Sequence, residues 1–361
     1  MRLSQVTSSH ENNFNLIRLL AAWAVLVSHS YALAIGSGQA EPLRRWLKMT
    51  PGSIGVDIFF IISGFLVTGS MLRRHSMLEF LWARALRIYP ALWVMLVIVV
   101  GLIGAGFTTV SLHDYFSSRF TLEFVLRNAV LFGGISYVLP GVFEDLPYPK
   151  AVNGSLWTMY HELRMYTLLA CAWMAMLVLR RSNVRAFRLL MILVAAFAAI
   201  ANFYVYFAYP GEERPFWHLC FMFFSGASMY VLREKVSVTW SGLWLAAIAI
   251  LVSTLNVDVF FVVYSLSLGY LLLCLAYVPE GAVRKYNKLG DYSYGIYIYA
   301  FPVQQSVVAL NPGISPGSLI VWSSLITLAL AVVSWTFLER HMLDMKPRCV
   351  TRTRQWFGLK A

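Results

Sequence analysis

Charge is scarce in this chain of 361 residues. Asp, Glu, Lys and Arg together make up 13% of it and hydrophobic residues 59%, whereas soluble globular domains carry about 25% charged residues. A mean hydropathy of +0.66 points the same way and excludes a soluble globular fold. Cysteine is also rare. Cys171, Cys220, Cys274 and Cys349 lack metal-ligand spacing; three sit in apolar runs and one in a basic tail, so no disulfide framework or zinc site is implied. No polar stretch of domain length, internal repeat or low-complexity tract is present.

What is there is a series of apolar runs, at 14–36, 53–72, 88–108, 155–179, 187–208, 216–232, 240–255, 257–278, 291–310 and 318–338. A membrane-spanning helix needs about 20 such residues. The expected fold is therefore all-α, a polytopic membrane protein with about ten transmembrane helices, the seventh being short. On this division residues 1–13 form a cytoplasmic tail, 14–338 the transmembrane domain and 339–361 a basic cytoplasmic tail. The +12 charge is distributed by side. The N-terminal tail, the even-numbered loops and the C-terminal tail hold 20 Lys and Arg, including Arg73, Arg74, Arg180, Arg181 and Lys360; the opposite loops hold 7. The positive-inside rule then places both termini in the cytoplasm. The basic balance is topology and argues against nucleic acid as a partner. Ala32-Leu33-Ala34 mimics a signal-peptidase site, but the polar lead containing Glu11 is long for a signal peptide, and His29 and Ser30 interrupt the approach to the cut.

Ionisable groups inside spans are costly and mark functional sites. Arg18 and His29 lie in the first run, eleven residues apart, which on a helix is nearly the same face at a separation of about 16 Å. A snorkelling arginine and a packed histidine would explain either alone; together they outline a polar cavity. With the topology above, His29 lies about 22 Å up a ~30 Å core, and Glu162, descending in the fourth span, about 10 Å below the outer surface. Asp57 enters the second span from the same side, a turn higher. A histidine and two carboxylates at one level fit a base with orienting acids, or a satisfied structural network. Arg164 and His161 flank Glu162 and stay outside the expected site.

The stretch from Arg73 through His75 to Pro90 holds a second cluster. Arg73 and Arg74 are explained by topology, but Arg84 and Arg87 stand at i, i+3 on one helical face, where two guanidinium forks suit a phosphate. The outward segment 109–154 contains an apolar piece, Phe120 to Phe132, too short to span. A Gly- and Pro-broken region with Tyr137, Phe143 and Tyr148 follows. Amphipathic packing explains it, as does a re-entrant or interfacial lid over an outward substrate, with aromatics suited to sugar faces.

The Arg-x10-His start, Gly55-Val-Asp-Ile-Phe-Phe-Ile-Ile-Ser-Gly-Phe65, Arg84-Ala-Leu-Arg87-Ile-Tyr-Pro90, Ser155-Leu-Trp-Thr-Met-Tyr-His-Glu162 and Asp291-Tyr-Ser-Tyr-Gly-Ile-Tyr resemble the acyltransferase-3 family of bacterial integral membrane proteins over about 12–341. The resemblance implies O-acetylation of an exported polysaccharide, or its lipid-linked precursor, at the bacterial inner membrane. Acetyl-CoA would be the donor substrate, with no permanently bound cofactor and no metal. It carries roles to Arg18 and His29, to the Arg84–Arg87 pair and to Glu162. Two departures stand out: Ala300 occupies a place where many members have a histidine, and the tail after Glu339 is short and basic, as in stand-alone exopolysaccharide and O-antigen acetyltransferases. The expected mechanism docks acetyl-CoA phosphates on Arg84 and Arg87 with the arm passing Arg18. His29 then acts as base or acetyl relay, oriented by Glu162 and Asp57. A glycolipid or anion transporter using the same charges is the rival reading, and a non-catalytic scaffold a third.

Overall fold

The structure, a computed structural model, describes residues 1–7, 11–74, 76–178, 184–212 and 214–358; His75, Arg180, Arg181 and Lys360 lie outside them. Each of the ten apolar runs folds as a helix: α1 (Phe14–Ile35), α2 (Pro51–Arg74), α3 (Met77–Ile98), α4 (Leu156–Val178), α5 (Val184–Ala208), α6 (Pro215–Val231), α7 (Trp240–Ser253), α8 (Val257–Tyr277), α9 (Ser293–Leu310) and α10 (Pro316–Ser334). No strand forms among the described residues, only two isolated bridges. Helices close their own backbone hydrogen bonds, the one open-ended solution in lipid. Six of the ten, α1, α2, α5, α8 and the continuations of α3 and α10, are long and apolar enough to cross a membrane. The third run is longer than its apolar part, because Arg84 and Arg87 belong to the same helix.

The chain divides into two compact units. The first comprises Met1–Ala21, Arg45–Arg73 and His161–Gly290; the second Ala22–Arg44, Arg74–Tyr160 and Asp291–Ala361. In the first, Phe14, Phe65, Tyr230 and Tyr277 share one core with Leu3, Leu243 and Leu273, their rings meeting at 5.3 to 5.9 Å for Phe14–Phe65, Phe14–Tyr277 and Phe65–Tyr230. Helices α2 and α6 touch backbone to backbone. A Cβ on Gly64 would strike the Phe223 carbonyl and one on Gly226 the Ile61 carbonyl, the small-residue packing typical of membrane helices. The N-terminal segment is folded, not loose. Leu3 is fully buried, its amide bonded to the Val236 carbonyl at 2.9 Å, and Asn13 Nδ2 donates to the Leu275 and Pro279 carbonyls. This end therefore shares a side with the C-terminal ends of α6 and α8.

In the second unit, α3 runs on through a π-helical stretch, Val99–Gly104, and α10 through another, Trp335–Glu339. Leu33, Phe301, Val303, Val307, Val308 and Leu319 form its core. The expected C-terminal tail contains a further helix, α11 (Lys346–Trp356). Trp82 Nε1 donates to Thr353 Oγ1 at 3.0 Å, and Arg74, Lys346 and Arg354 surround Glu79, so α11 lies beside the start of α3.

The segment after α3 folds back along it. The apolar piece is a helix, Arg119–Val130, whose last carbonyls accept from Trp93 Nε1 and Tyr89 Oη at 3.0 and 3.1 Å. Trp93 is fourteen residues before Phe107, or about 21 Å back along the helix from its C-terminal end. From there the chain returns to the top of α1, where Gly36 (φ +84°) closes on Pro147, and then descends beside α9. Gln305 Nε2 holds the Tyr148 and Ala151 carbonyls at 2.9 and 2.8 Å, and Gly154 packs on Phe301. Below them Asn153 Nδ2 donates to the Ile298 carbonyl at 3.0 Å while its Oδ1 accepts from Ser155 N, just before α4 starts. The segment thus runs at several heights along α3 and α9 instead of staying at one end of them.

Candidate active site

His29 sits two-thirds of the way along α1 in the second unit. Its ring meets Phe301 edge-on at 5.2 Å. Nδ1 is buried and has no hydrogen-bond partner among the described residues, while the residue as a whole keeps partial exposure. Its neighbours on the helix are fixed. Ser28 Oγ donates to the Glu41 carboxylate, and Gln304 Nε2 reaches the Leu26 carbonyl at 2.7 Å and Ser30 Oγ at 2.6 Å. Gln304 is wholly buried, and its Oε1 is also unpartnered. A histidine whose flanking turns are clamped and whose ring nitrogen is unspent can exchange a proton with a bound molecule.

Arg18 belongs to the other half of α1, in the first unit, with its guanidinium 5.9 Å from the Phe59 ring centre. Glu162, also in the first unit, is half-buried at the start of α4. One oxygen, Oε1, accepts from Tyr166 Oη, one turn on, and from Ser63 Oγ at 3.3 Å; Ser63 and Tyr166 are themselves 2.7 Å apart. Its Oε2 has no partner among the described residues. The carboxylate is thus anchored by one oxygen and offers the other. Arg164, its neighbour in sequence, stacks over Phe216 at 4.2 Å.

Asp57 differs. It is 1% exposed, and both oxygens are engaged: Oδ1 by His218 Nε2 at 2.9 Å and Oδ2 by Tyr264 Oη at 2.9 Å. His218 Nδ1 lies 3.3 Å from Asn202 Oδ1. Four helices, α2, α5, α6 and α8, each contribute one member to this network. Asp57 has its partners inside the first unit, as in the structural alternative weighed from sequence.

Arg84 and Arg87 do share one helical face, but their surroundings differ. Arg87 has two carboxylates on its fork, Asp291 on Nη2 at 2.6 Å and Glu339 on Nη1 at 3.2 Å, all three buried or nearly so. Tyr294 and Trp335 cover the guanidinium at 5.4 and 5.9 Å. Ser293 Oγ bonds Asp291 at 2.5 Å, and Ser334 Oγ bonds Glu339 at 2.8 Å. Both arms of the guanidinium fork are taken, so a phosphate arriving at Arg87 would compete with two resident carboxylates. Arg84 is half-buried and lies close to Lys346.

Sequence reasoning missed His218, Tyr264, Asn202, Ser63, Tyr166, Gln304, Glu41, Asp291 and Glu339 as partners. One signal was available. On the expected topology Asp57, Asn202, His218 and Tyr264 all fall within about 11 Å of the outward ends of their helices, and four buried polar groups at one height are expected to meet.

A family model described as an acyltransferase domain matches residues 11–338. The chain is 32% identical to a protein named O-acetyl transferase from Shigella phage Sf6, over 92% of this chain and 97% of that one. It is 28% identical to nodulation protein 10 of Rhizobium leguminosarum bv. viciae, over 96% of this chain and 97% of the relative. A 28% identity to the peptidoglycan O-acetyltransferase OatA of Listeria monocytogenes spans 46% of this chain and 26% of that protein. No solved structure matches.

Proposed function

Because the chain belongs to the acyltransferase-3 family, and is an O-acyltransferase built from multiple membrane helices, we propose that it moves an acetyl group from cytoplasmic acetyl-CoA to a hydroxyl of an exported polysaccharide or its lipid-linked precursor. The bacterial inner membrane is the proposed location. The observation that carries this reading is His29, placed inside an apolar helix with a buried, unpartnered Nδ1 and its flanking turns clamped by Gln304.

His29 acts as general base, a role that suits an imidazole because its ring nitrogens can take up and return a proton. It takes the proton of the acceptor hydroxyl as that oxygen attacks the thioester carbonyl carbon. The C–S bond then breaks, and the proton passes to the departing thiolate, leaving an ester and free CoA. A relay in which His29 first carries the acetyl group consumes the same bonds in two steps. Glu162, with one carboxylate oxygen anchored and one open, is the proposed acidic partner, together with Asp57. On the donor side Arg84 is the proposed phosphate contact, with Arg18 further along the path. Arg87 contributes by holding Asp291 and Glu339 in place around it. The reading is tested in inverted membrane vesicles given acetyl-labelled acetyl-CoA. Label is expected in glycan; movement of unmodified glycan without label transfer would identify a transporter instead.

A further inference from the structure

The segment between Arg119–Val130 and α4 is irregular, and it lies alongside the middle of α3 and α9. Irregular backbone at membrane depth is tolerated where it is buried in protein or lines a water-filled cavity. The first applies to part of this stretch. Leu139, Val142, Phe143 and Val152 are buried, whereas Glu144, Asp145 and Lys150 are exposed. The Thr109 amide bonds the Gly141 carbonyl at 3.0 Å, so Glu144, Asp145 and Lys150, whose amide turns back to Phe143, stand near the C-terminal end of α3, where the stretch emerges into water. The stretch is also held rigid. Phe143 and Lys150 both adopt left-handed φ values, +56° and +65°, and are joined by a 2.9 Å bond from Lys150 N to the Phe143 carbonyl. Val152 N bonds the Tyr137 carbonyl at 2.8 Å. Non-glycine residues in that region cost energy and persist where the surroundings impose them.

Two rings stand out of this frame. Phe143, a candidate from sequence, is packed inward against Phe107, but Tyr137 and Tyr148 are 39% and 37% exposed. They are neighbours: burial, and then the proximity of Tyr148, raise the Tyr137 hydroxyl above its ordinary pKa. Tyr148 meets Phe301 edge-on at 6.5 Å, and Phe301 meets His29 at 5.2 Å, so the exposed rings are one aromatic residue away from the proposed base. Beside this path, Gln304 Oε1, Gln305 Oε1 and His29 Nδ1 are buried without partners. Three orphaned polar atoms in one neighbourhood point to a bound molecule or water that they serve.

We propose that residues 131–155 form the seat of the acyl acceptor, a carbohydrate, with Tyr137 and Tyr148 stacking on its sugar faces. This deepens the acyl-transfer reading and rests on it. A tyrosine offers a flat apolar face with a polar tip, the complement of a pyranose ring with an apolar C–H face and a rim of hydroxyls. Glu144, Asp145 and Lys150 add acceptors and a donor for that rim, chemistry that an alkyl chain would not use. The Gln305 anchor fixes the height of Tyr148, so one sugar of the chain is delivered toward His29 while others rest outside.

Saturation-transfer NMR on the purified full chain in nanodiscs, with maltohexaose, cellohexaose and chitohexaose as probes, tests the seat. At least one probe should bind. Tyr148→Ala should weaken it about tenfold, equivalent to about 1.4 kcal/mol, and Tyr137→Ala should weaken it in the same sense. Tyr148→Phe should retain binding, because stacking uses the ring face. Failure of every probe to bind, or unchanged affinity in Tyr148→Ala, would overturn the proposal. Consumption of labelled acetyl-CoA by the same wild-type sample is followed in parallel. Turnover without sugar binding removes the seat alone, whereas sugar binding without turnover removes the acyl-transfer reading and with it the seat's role.

Discussion

At the scale of the residue, ionisable groups in apolar surroundings divide into those with protein partners and those awaiting one. His29 is of the second kind. His29→Ala should lower acetyl transfer by about 10²–10⁴-fold, the usual worth of a general base, at unchanged membrane abundance; a third or more of wild-type activity remaining would rule it out as base or relay. Arg87 is of the first kind. Arg87→Ala strands Asp291 and Glu339 in a buried site, and breaking such a network typically costs about 3–5 kcal/mol. The variant should therefore show a lowered melting temperature in detergent and reduced abundance. Arg84→Lys should raise the KM for acetyl-CoA, because a lysine keeps charge but loses the bidentate fork. Equal melting of Arg87→Ala and wild type would contradict the structural assignment. The sequence could single out Arg18 and His29 because an ion in an apolar run is conspicuous, and Arg87 because it shares a helical face with Arg84. It could not supply Arg87's partners, which lie 204 and 252 residues away, a separation no local pattern encodes.

At the scale of the element, each of the ten apolar runs contains a helix, and among the described residues six of these are long and apolar enough to cross a membrane. Their ends were less legible. Helix α3 begins eleven residues before its apolar part, since its first turns face Glu79's cations and α11 instead of lipid. The segment 109–154 was legible as a piece too short to span, with packing or a re-entrant or interfacial lid as its alternatives, and its path depends on contacts with Tyr89, Trp93 and Gln305 that become visible only in three dimensions. Close helix contact is likewise encoded weakly, by glycines that could serve a turn equally well. Gly64 and Gly226 allow α2 and α6 to meet at backbone distance. Gly226→Val should force them apart and abolish accumulation of folded protein, whereas Gly101→Val, at a glycine with open space around it, should be tolerated. Size-exclusion profiles of the two variants check this, and a normal profile for Gly226→Val would refute the packing argument.

At the scale of the whole molecule, the charge asymmetry leads us to expect both termini in the cytoplasm. Within the first unit the N-terminal segment joins the ends of α6 and α8, and within the second α11 joins the start of α3, which are the ends the positive-inside rule assigns to that side. A fluorescent protein fused after Ala361 should therefore fluoresce in the bacterial cytoplasm, while alkaline phosphatase inserted at Glu144 should be active outside; the reverse pattern would invert the topology. The two units also have an unusual relation to the gene. Helix α1 passes from one to the other between Ala21 and Ala22, and α4 between Tyr160 and His161. Neither unit is a continuous stretch of reading frame. A single crossover between two relatives cannot transplant one unit intact, because each unit is drawn from three separate stretches of the chain. Diversification of such a protein toward new acceptors is then confined to substitution and loop exchange within an unbroken helical frame, and a chimera meant to change acceptor choice should replace residues 131–155 and leave every helix junction native.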